Sequence, residues 1–276
     1  MARSETALPL SQAGTLRSWW QAWVDSGVAL KVLSVGGFLF LWQVLARNVN
    51  PILVPTPTRV AAAFVQLLRS GELQTAFLVS LQDLGYGYLL AVAVGLLVGT
   101  LMGRFRAVEN TLSPFVNFFM ATPTVALVPL VIIWFGFGTI GRVALVFKVS
   151  VWTILINTLT GVKTTNRLLR EVAMAFRLNE RQYVRWVALP NALPYVFAGL
   201  KLGLGKAIIG MIVAEMTMQL SGLGGLVMNY GNAFKTAHLI AGVATSSLFA
   251  VIVLGVMDLI QGRLFPWIEG TSSQRE

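Results

Sequence analysis

Six long apolar runs, separated by short polar segments, limit what this 276-residue chain can fold into more than any other feature of its sequence. About 20 consecutive apolar residues are enough for a helix to cross the hydrocarbon core of a bilayer. We therefore predict an all-α, polytopic membrane protein with about six transmembrane helices. The predicted spans are residues 28–46, 76–102, 112–135, 140–162, 195–220 and 237–259.

The composition supports a membrane protein. Only 12% of the residues are charged and 56% are hydrophobic, whereas soluble domains carry about a quarter charged residues. The first apolar run begins near residue 28 and is long enough to span the bilayer. We therefore expect an uncleaved membrane anchor rather than a signal peptide at this end of the chain.

The distribution of positive charge predicts the orientation. Six spans place both termini on one side, and the loop after the fourth span is rich in Lys and Arg. Its basic residues are Lys163, Arg167, Arg170, Arg177, Arg181 and Arg185. The loops after the third and fifth spans carry only Arg142 and Lys235, although the loop after the first span is an exception with Arg47, Arg59 and Arg69. Because cytoplasmic loops concentrate Lys and Arg, we expect both termini to be cytoplasmic. The net charge of +10 then reflects topology rather than nucleic-acid binding.

The chain lacks the residues that most enzymes and metal sites need. It has no cysteine and a single histidine, His238, which excludes thiolate nucleophiles, cysteine-ligated clusters and HExxH zinc sites. Residues 136–141 have the spacing of a dinucleotide-binding loop, but they join two membrane-length runs and fit a tight turn better. Residues 205–207 resemble the end of a phosphate loop. The position that needs the first glycine holds Leu200, however, and the position that needs Ser or Thr holds Ala207. We expect no enzyme activity and no cofactor in this chain.

Two features of the first half predict how helices meet. Apolar residues at helical spacing between residues 60 and 68 indicate an amphipathic surface helix, which Gly71 should end. In the second span, Gly95, Gly99 and Gly103 form overlapping small-xxx-small repeats. Such repeats let another helix backbone approach closely, so we predict ordinary helix packing along this stripe.

Prolines interrupt the third apolar run at Pro114, Pro123 and Pro129. Each proline removes an intrahelical hydrogen bond, and unpaired carbonyls at membrane depth are tolerated where they face protein or a watery cavity. This run is therefore a candidate lining of a translocation pathway, with Thr122, Pro123 and Pro129 as its candidate residues. A kinked helix that only packs against its neighbours explains the prolines equally well.

Two lysines lie near the middle of predicted spans. Lys148 and Lys206 are too deep to reach the interface easily, and an unpaired lysine there costs roughly 2.5 to 3.5 kcal/mol. They are candidates to line the pathway and attract an anionic solute, together with Glu215 in the same region. The alternative is that they only pair with Glu215, with hydroxyls such as those of Ser150 and Thr153, or with helix carbonyls. We expect Glu215 itself to be structural.

The segment of residues 163–194, here called the polar segment, separates the fourth and fifth spans. Its first half has an apolar face at helical spacing and a charged face, which predicts a short amphipathic helix. Asn179 can cap a second short helix, and we expect Leu189 and Pro190 to end it because the residue before proline disfavours helix. The prediction is two short helices with a bend between them.

The polar segment resembles the cytoplasmic loop of permease subunits of bacterial binding-protein-dependent ABC importers. That family's pattern is Glu-Ala-Ala, three residues, Gly, nine residues, Ile, any residue and Leu-Pro. Here Glu171, Val172 and Ala173 begin the match, and Val187, Leu189 and Pro190 complete it. The largest departure is Arg177 at the glycine position, where a positive φ is harder to adopt and the bend can differ.

Further stretches resemble the nitrate, sulfonate, taurine and bicarbonate group of these permeases. They are residues 55–58, 123–130, 134–136, 212–216 and 222–224. The resemblance implies a type I ABC importer permease in the bacterial inner membrane, working as a homodimer with ATPase subunits that bind ATP and Mg, and with an extracytoplasmic binding protein. It implies that a coupling helix around residues 171–181 docks on the ATPase. The implied coupling residues are Glu171, Ala173, Phe176, Arg177, Leu178, Asn179, Glu180, Leu189 and Pro190.

The expected layout is an interfacial tail of residues 1–27, a permease domain of residues 28–265 that includes the polar segment, and a cytoplasmic tail of residues 266–276. The expected function is passage of a small anionic solute from the binding protein across the membrane. The alternative is a stand-alone, ion-coupled secondary transporter or channel, which predicts repeat symmetry and intramembrane acids. A membrane-embedded enzyme is a further alternative that the missing catalytic groups disfavour.

Overall fold

The computed structural model describes residues 28–164, 171, 173–218 and 221–264 of the chain. The regular structure of this part is entirely helical and contains no strand, which confirms the all-α prediction. Its helices are α1 (Val28–Arg47), α2 (Pro57–Arg69), α3 (Glu72–Arg104), α4 (Arg106–Ala121), α5 (Thr124–Phe135), α6 (Thr139–Lys163), α7 (Glu180–Tyr183), a π-helical turn (Val184–Ala188), α8 (Leu189–Thr217), α9 (Gly222–Asn232) and α10 (Thr236–Leu264).

The chain divides into two compact units, residues 1–61 and residues 62–276. The described part of the first unit consists of α1 and the start of α2, joined by a turn in which the Asn50 side chain accepts the Ile52 N–H at 3.0 Å. The second unit contains the helices from the rest of α2 to α10. Helix α2 has the predicted amphipathic face and ends just before Gly71, whose φ is 81°.

Among the described residues, five helices are long and apolar enough to cross a membrane: α1, α3, α6, the helix that runs through the π-turn into α8, and α10. The third predicted span differs, because α4 and α5 are separate helices bent by 100° at Thr122 and Pro123. Six spans result only if this bent pair counts as one. Of the three prolines, only Pro123 breaks the helix, since Pro114 and Pro129 lie inside α4 and α5.

The centre of the second unit is α6, along which α3 and α8 both pack. Glycines allow this close approach. A Cβ on Gly99 would lie 2.7 Å from the Leu155 carbonyl oxygen, and one on Gly95 would lie 2.9 Å from the Ile154 side chain. The stripe of small residues on α3 therefore serves ordinary packing within the chain, as predicted. Because α6 is covered on two sides, it is rich in buried residues, including Leu145, Ile154 and Leu155.

The fifth span begins earlier than predicted, and Pro190 does not end a helix. Residues 180–217 are helical without interruption, passing from α7 through the π-turn into α8. Pro190 lies in the first turn of α8, where a missing N–H has least effect because the first N–H groups of an α-helix have no intrahelical acceptor. The last part of the polar segment, from residue 180 onward, is thus continuous with the helix of the fifth span.

Helix α10 contacts α9 and α3 through aromatic rings. The rings of Tyr230 in α9 and His238 in α10 stack with centroids 4.8 Å apart, and Phe77 of α3 meets Phe249 of α10 edge to face at 5.2 Å. His238 also lies 3.2 Å from the Gln66 side-chain oxygen. The single histidine therefore has a packing role where α10 begins.

Candidate translocation cavity and coupling segment

A cavity of about 370 Å³ lies beside the bend between α4 and α5. It is bounded by α4, α5, α6 and α8, the four helices that meet at the bend. The lining residues are Met120, Ala121, Thr122, Pro123, Thr124, Val125, Lys148, Val149, Trp152, Thr153, Lys206, Ile209, Gly210 and Val213. Four of the six predicted pathway residues are thus brought together: Thr122, Pro123, Lys148 and Lys206. Pro129 and Glu215 do not line the cavity.

Lys148 holds the bend between α4 and α5. Its Nζ donates to the Thr122 carbonyl oxygen at 2.6 Å and to Thr124 Oγ1 at 2.9 Å. Thr122 and Pro123 are both extended, so the Thr122 carbonyl has left the helix and is available to an outside donor. Lys148 has neither of the partners considered in α6, Ser150 and Thr153, and its carbonyl acceptor belongs to the extended residue Thr122 rather than to a helix. Both acceptors are uncharged, so the positive charge of Lys148 is not neutralised.

Lys206 extends into the same cavity from the opposite helix, α8. Its side chain is exposed, and in the part of the chain that the structure describes it has no hydrogen-bond or ion-pair partner. None of the described lining residues carries a carboxylate. The cavity therefore combines two lysine charges, three threonines (Thr122, Thr124 and Thr153) and apolar walls. Such a surface favours an anion over a cation, because no negative group offsets the ammonium charges.

The polar segment contains the bend that the sequence predicted. The Arg177 N–H donates to the Met174 carbonyl at 2.9 Å, and the Leu178 N–H donates to the Ala173 carbonyl at 3.0 Å. These two bonds define a Schellman motif, whose C′ residue takes a left-handed conformation and is usually glycine. Arg177 takes it here, with φ 49°. The arginine thus takes the left-handed conformation that the family's pattern gives to glycine.

A second short helix starts directly after this bend. The Asn179 side chain accepts the Gln182 N–H and the Gln182 side chain accepts the Asn179 N–H, each at 2.9 Å. This reciprocal pair confirms Asn179 as the N-cap. Several apolar side chains of the segment are left exposed: Met174, Phe176, Trp186 and Leu189. Ala173 is buried, and Leu168, Leu169 and Val172 lie outside the described residues.

Comparison with known proteins identifies the family. The profile described as "Binding-protein-dependent transport system inner membrane component" matches residues 91–270, well over half of the chain. The chain belongs to this family. The permease also falls in the nitrate, sulfonate, taurine and bicarbonate group, as the sequence resemblance indicated. It is an ABC importer permease, a multi-pass membrane protein of a transport family rather than an enzyme, and the stand-alone secondary transporter or channel is not supported.

Three relatives illustrate the similarity. The permease is 30% identical to the putative aliphatic sulfonates transport permease protein SsuC of Bacillus subtilis, over 82% of this chain and 83% of that protein. It is 29% identical to the bicarbonate transport system permease protein CmpB of Synechococcus elongatus, over 96% of each chain. It is 32% identical to the riboflavin transport system permease protein RibX of Chloroflexus aurantiacus, over 83% of this chain and 86% of that protein.

Glu215 has a structural position in the permease, as expected. It is fully buried, accepts the Ser80 hydroxyl at 2.6 Å and accepts the Gly224 N–H at 2.8 Å. Ser80 in turn accepts the Leu223 N–H at 2.9 Å. These bonds satisfy N–H groups in the first turn of α9, where a carboxylate is favoured by the helix dipole. Glu215 therefore joins α8 to the start of α9.

A buried ion pair between Asp83 and Arg142 is the polar feature that the sequence analysis missed. Arg142 was assigned to a loop, but it lies in the first turn of α6, and its Nε donates to Asp83 Oδ2 of α3 at 2.5 Å. The two side chains are only 4% and 1% exposed. Arg142 also donates to Thr139 Oγ1 at 3.2 Å. The only sequence signal was Asp83 itself, an acid inside an apolar run, where charged groups almost always find a partner.

Proposed function

We propose that the permease passes a small anionic solute through the cavity beside the α4–α5 bend. The observation that carries this proposal is the pair of lysines, Lys148 and Lys206, in a membrane-depth cavity whose described lining has no acid. Lys206 has the stronger claim to contact the solute, because its ammonium group has no partner among the described residues. Lys148 adds charge while it holds the Thr122 carbonyl at the bend. A cavity of about 370 Å³ is within the usual size of small-molecule sites.

The relatives support an anion but do not carry the argument. Sulfonates and bicarbonate, named for two of them, are small anions. Riboflavin, named for the third, is a larger ring compound, so membership of the family alone does not specify the solute. The lysines of this chain therefore carry the assignment of substrate class.

The polar segment is proposed to couple transport to ATP hydrolysis in a separate ATPase subunit, which would bind ATP and Mg. The exposed side chains of Phe176 and Trp186 support docking, since large apolar groups exposed on a polar surface favour a protein partner. The proposed contact residues are those named by the resemblance, from Glu171 to Glu180 with Leu189 and Pro190. Continuity of residues 180–217 supports transmission, because a force on α7 acts directly on α8.

The complete transporter is proposed to contain two copies of the permease, ATPase subunits and an extracytoplasmic binding protein that delivers the solute. Both termini and the polar segment would then face the cytoplasm. The excess of Lys and Arg in the polar segment supports this orientation. The description of the family as binding-protein-dependent supports the binding protein.

Reconstitution tests the proposed function. The permease is placed in liposomes with the ATPase and binding protein encoded beside it, and uptake of labelled nitrate, bicarbonate, taurine, an alkanesulfonate and riboflavin is measured with ATP hydrolysis. Lys206→Met and Lys148→Met are compared with Lys31→Met, a control in α1. We expect anion uptake only with the ATPase present. Lys206→Met should lose uptake by about tenfold or more, because the interaction free energy of one charge contact with an anion at low dielectric exceeds about 1.4 kcal/mol.

The two lysines should fail in different ways. Lys206→Met should keep its folded yield while losing uptake, whereas Lys148→Met should also lose stability because the bend loses two hydrogen bonds. Unchanged transport in both variants would refute the proposed anion site. Transport by the permease without an ATPase subunit would refute the proposed importer function.

A further inference from the structure

Helix α10 is anchored to the rest of the unit along its first half only. Buried residues recur there at helical spacing, at Ala241, Gly242, Thr245 and Phe249, and they face α3 and α9. In the second half, no described residue between positions 250 and 263 is buried. Apolar packing within this chain therefore holds one end of α10 and leaves the other end without a comparable anchor.

An ion pair lies on that second half. The Nζ of Lys201 in α8 is 2.6 Å from Oδ1 of Asp258 in α10. The two side chains are 45% and 52% exposed within the chain. Lys201 lies near the middle of α8 (Leu189–Thr217), whereas Asp258 lies six residues before the end of α10 (Thr236–Leu264).

The setting makes this pair stronger than a similar pair on a soluble protein. In water, an exposed Lys–Asp pair contributes little because solvent competes for both charges. Inside a membrane span each charge alone is costly, and charged side chains there pair with one another. Separating Lys201 from Asp258 would leave two uncompensated charges in spanning helices, so the pair is expected to stay closed while the helices move.

Lys201 also occupies a position that links it to the polar segment. It lies on the uninterrupted helix that begins at Glu180 and includes the π-turn and α8. A displacement of that helix at its polar end therefore reaches Lys201 directly. Asp258 carries the displacement to α10, whose second half has no other anchor of buried residues.

We propose that Lys201 and Asp258 form a clasp, a permanently closed ion pair that makes the second half of α10 move with α8 during transport. Both are positioning residues, since neither lines the cavity. The proposal rests on the proposed function in one respect, namely that the ATPase acts on the polar segment. Without the clasp, α8 would move while that half of α10 lagged, and ATP hydrolysis would be poorly coupled to uptake.

The absence of cysteine from the sequence gives a direct test. Lys201→Cys and Asp258→Cys are introduced together, and a short bifunctional thiol reagent replaces the ion pair by a covalent link. Uptake of the transported solute and ATP hydrolysis are measured in the complete reconstituted transporter before and after linking. Charge reversals Lys201→Asp and Asp258→Lys are made singly and together, and Arg263→Gln, an exposed position on the same helix, is the control.

We expect each single reversal to lower uptake per ATP hydrolysed by about tenfold, because an unpaired charge remains in a span. The double reversal and the linked double-cysteine protein should recover most of the loss. A linked protein that hydrolyses ATP but transports nothing would overturn the clasp, because the pair would then have to open. Single reversals that transport normally, or a double reversal and a linked protein that both fail to recover, would overturn it too.

These outcomes are distinguishable from failure of the proposed function. If the unsubstituted transporter shows no ATP-dependent uptake, the proposed importer function is wrong, whatever the clasp variants do. If the unsubstituted transporter works and linking at positions 201 and 258 abolishes uptake, the clasp alone is wrong. Folded yield in detergent identifies any variant that fails to fold, and the double reversal then carries the test.

Discussion

Arg177 should be a less favourable residue than glycine at the bend of the polar segment. Its φ of 49° lies in the left-handed region, which costs a residue with a Cβ about 1 to 2 kcal/mol. Glycine removes that strain but has more freedom to lose when the turn forms, about 0.4 to 1 kcal/mol. The net gain expected for Arg177→Gly is therefore about 0.5 to 1 kcal/mol, or about two- to fivefold in the opening equilibrium of the turn.

Hydrogen exchange on the purified permease measures this opening directly. The amides of Arg177 and Leu178 donate the two bonds that close the motif, so their exchange reports local opening rather than global unfolding. Arg177→Gly should slow exchange by about two- to fivefold, by the free energy above. Arg177→Val should accelerate it, because a β-branched residue tolerates positive φ least.

Two further variants separate strain from charge. Arg177→Asn removes the charge but tolerates the left-handed conformation, whereas Arg177→Lys keeps both the charge and the strain. If strain governs the turn, Asn resembles Gly and Lys resembles Arg in the exchange experiment. Exchange that is unchanged in Gly and Val alike would refute the reasoning. ATPase affinity measured on the same set shows whether the arginine also contacts the partner, since Lys should then bind better than Asn.

The buried core yields three predictions for thermal or denaturant stability in detergent. Asp83→Ala removes the carboxylate of a buried ion pair and should lower the free energy of unfolding by about 3 to 5 kcal/mol. Adding Arg142→Met to this variant should restore part of that loss. No recovery would contradict an ion-pair origin. Gly99→Ala should cost about 1 to 3 kcal/mol because its Cβ meets a backbone oxygen, whereas Gly85→Ala, with open space, should be near neutral; equal effects would contradict the packing argument. Ser80→Ala should cost about 1 to 3 kcal/mol by leaving buried partners one bond short, and a melting temperature equal to that of the unsubstituted protein would contradict it.

Local sequence patterns predicted most helices because each depends on residues close together in the chain. The amphipathic helix before Gly71, the Asn179 cap and the glycine stripe of α3 all follow from spacing and side-chain chemistry within a few turns. The third span is broken by a 100° bend, and the fifth span begins earlier than its sequence pattern predicts. A proline in the sequence marks a possible break in a helix. Pro123 lies at a bend, whereas Pro129 and Pro190 lie inside helices. The difference depends on whether a carbonyl that loses its helix hydrogen bond finds a donor on another helix.

The cavity could be anticipated only in part. Lys148 and Lys206 are visible in the sequence as charges within apolar runs, but their meeting at one cavity requires the packing of α8 on α6. The partner of Lys148 is a backbone carbonyl at Thr122, which no residue pattern indicates. Lys201 and Asp258 were likewise unremarkable, since each is a single charge near the end of a predicted span.

The sequence by itself determined that this chain is a helical membrane permease. Apolar runs of spanning length and the pattern from Glu171 to Pro190 depend only on the order of residues. The tertiary structure decided the partners of the buried charges: Asp83 with Arg142, Glu215 with Ser80, and Lys148 with the bend. The physical reason is that a charge in a membrane must be compensated, but the compensating group lies on another helix, and only the packing of the helices determines which group that is.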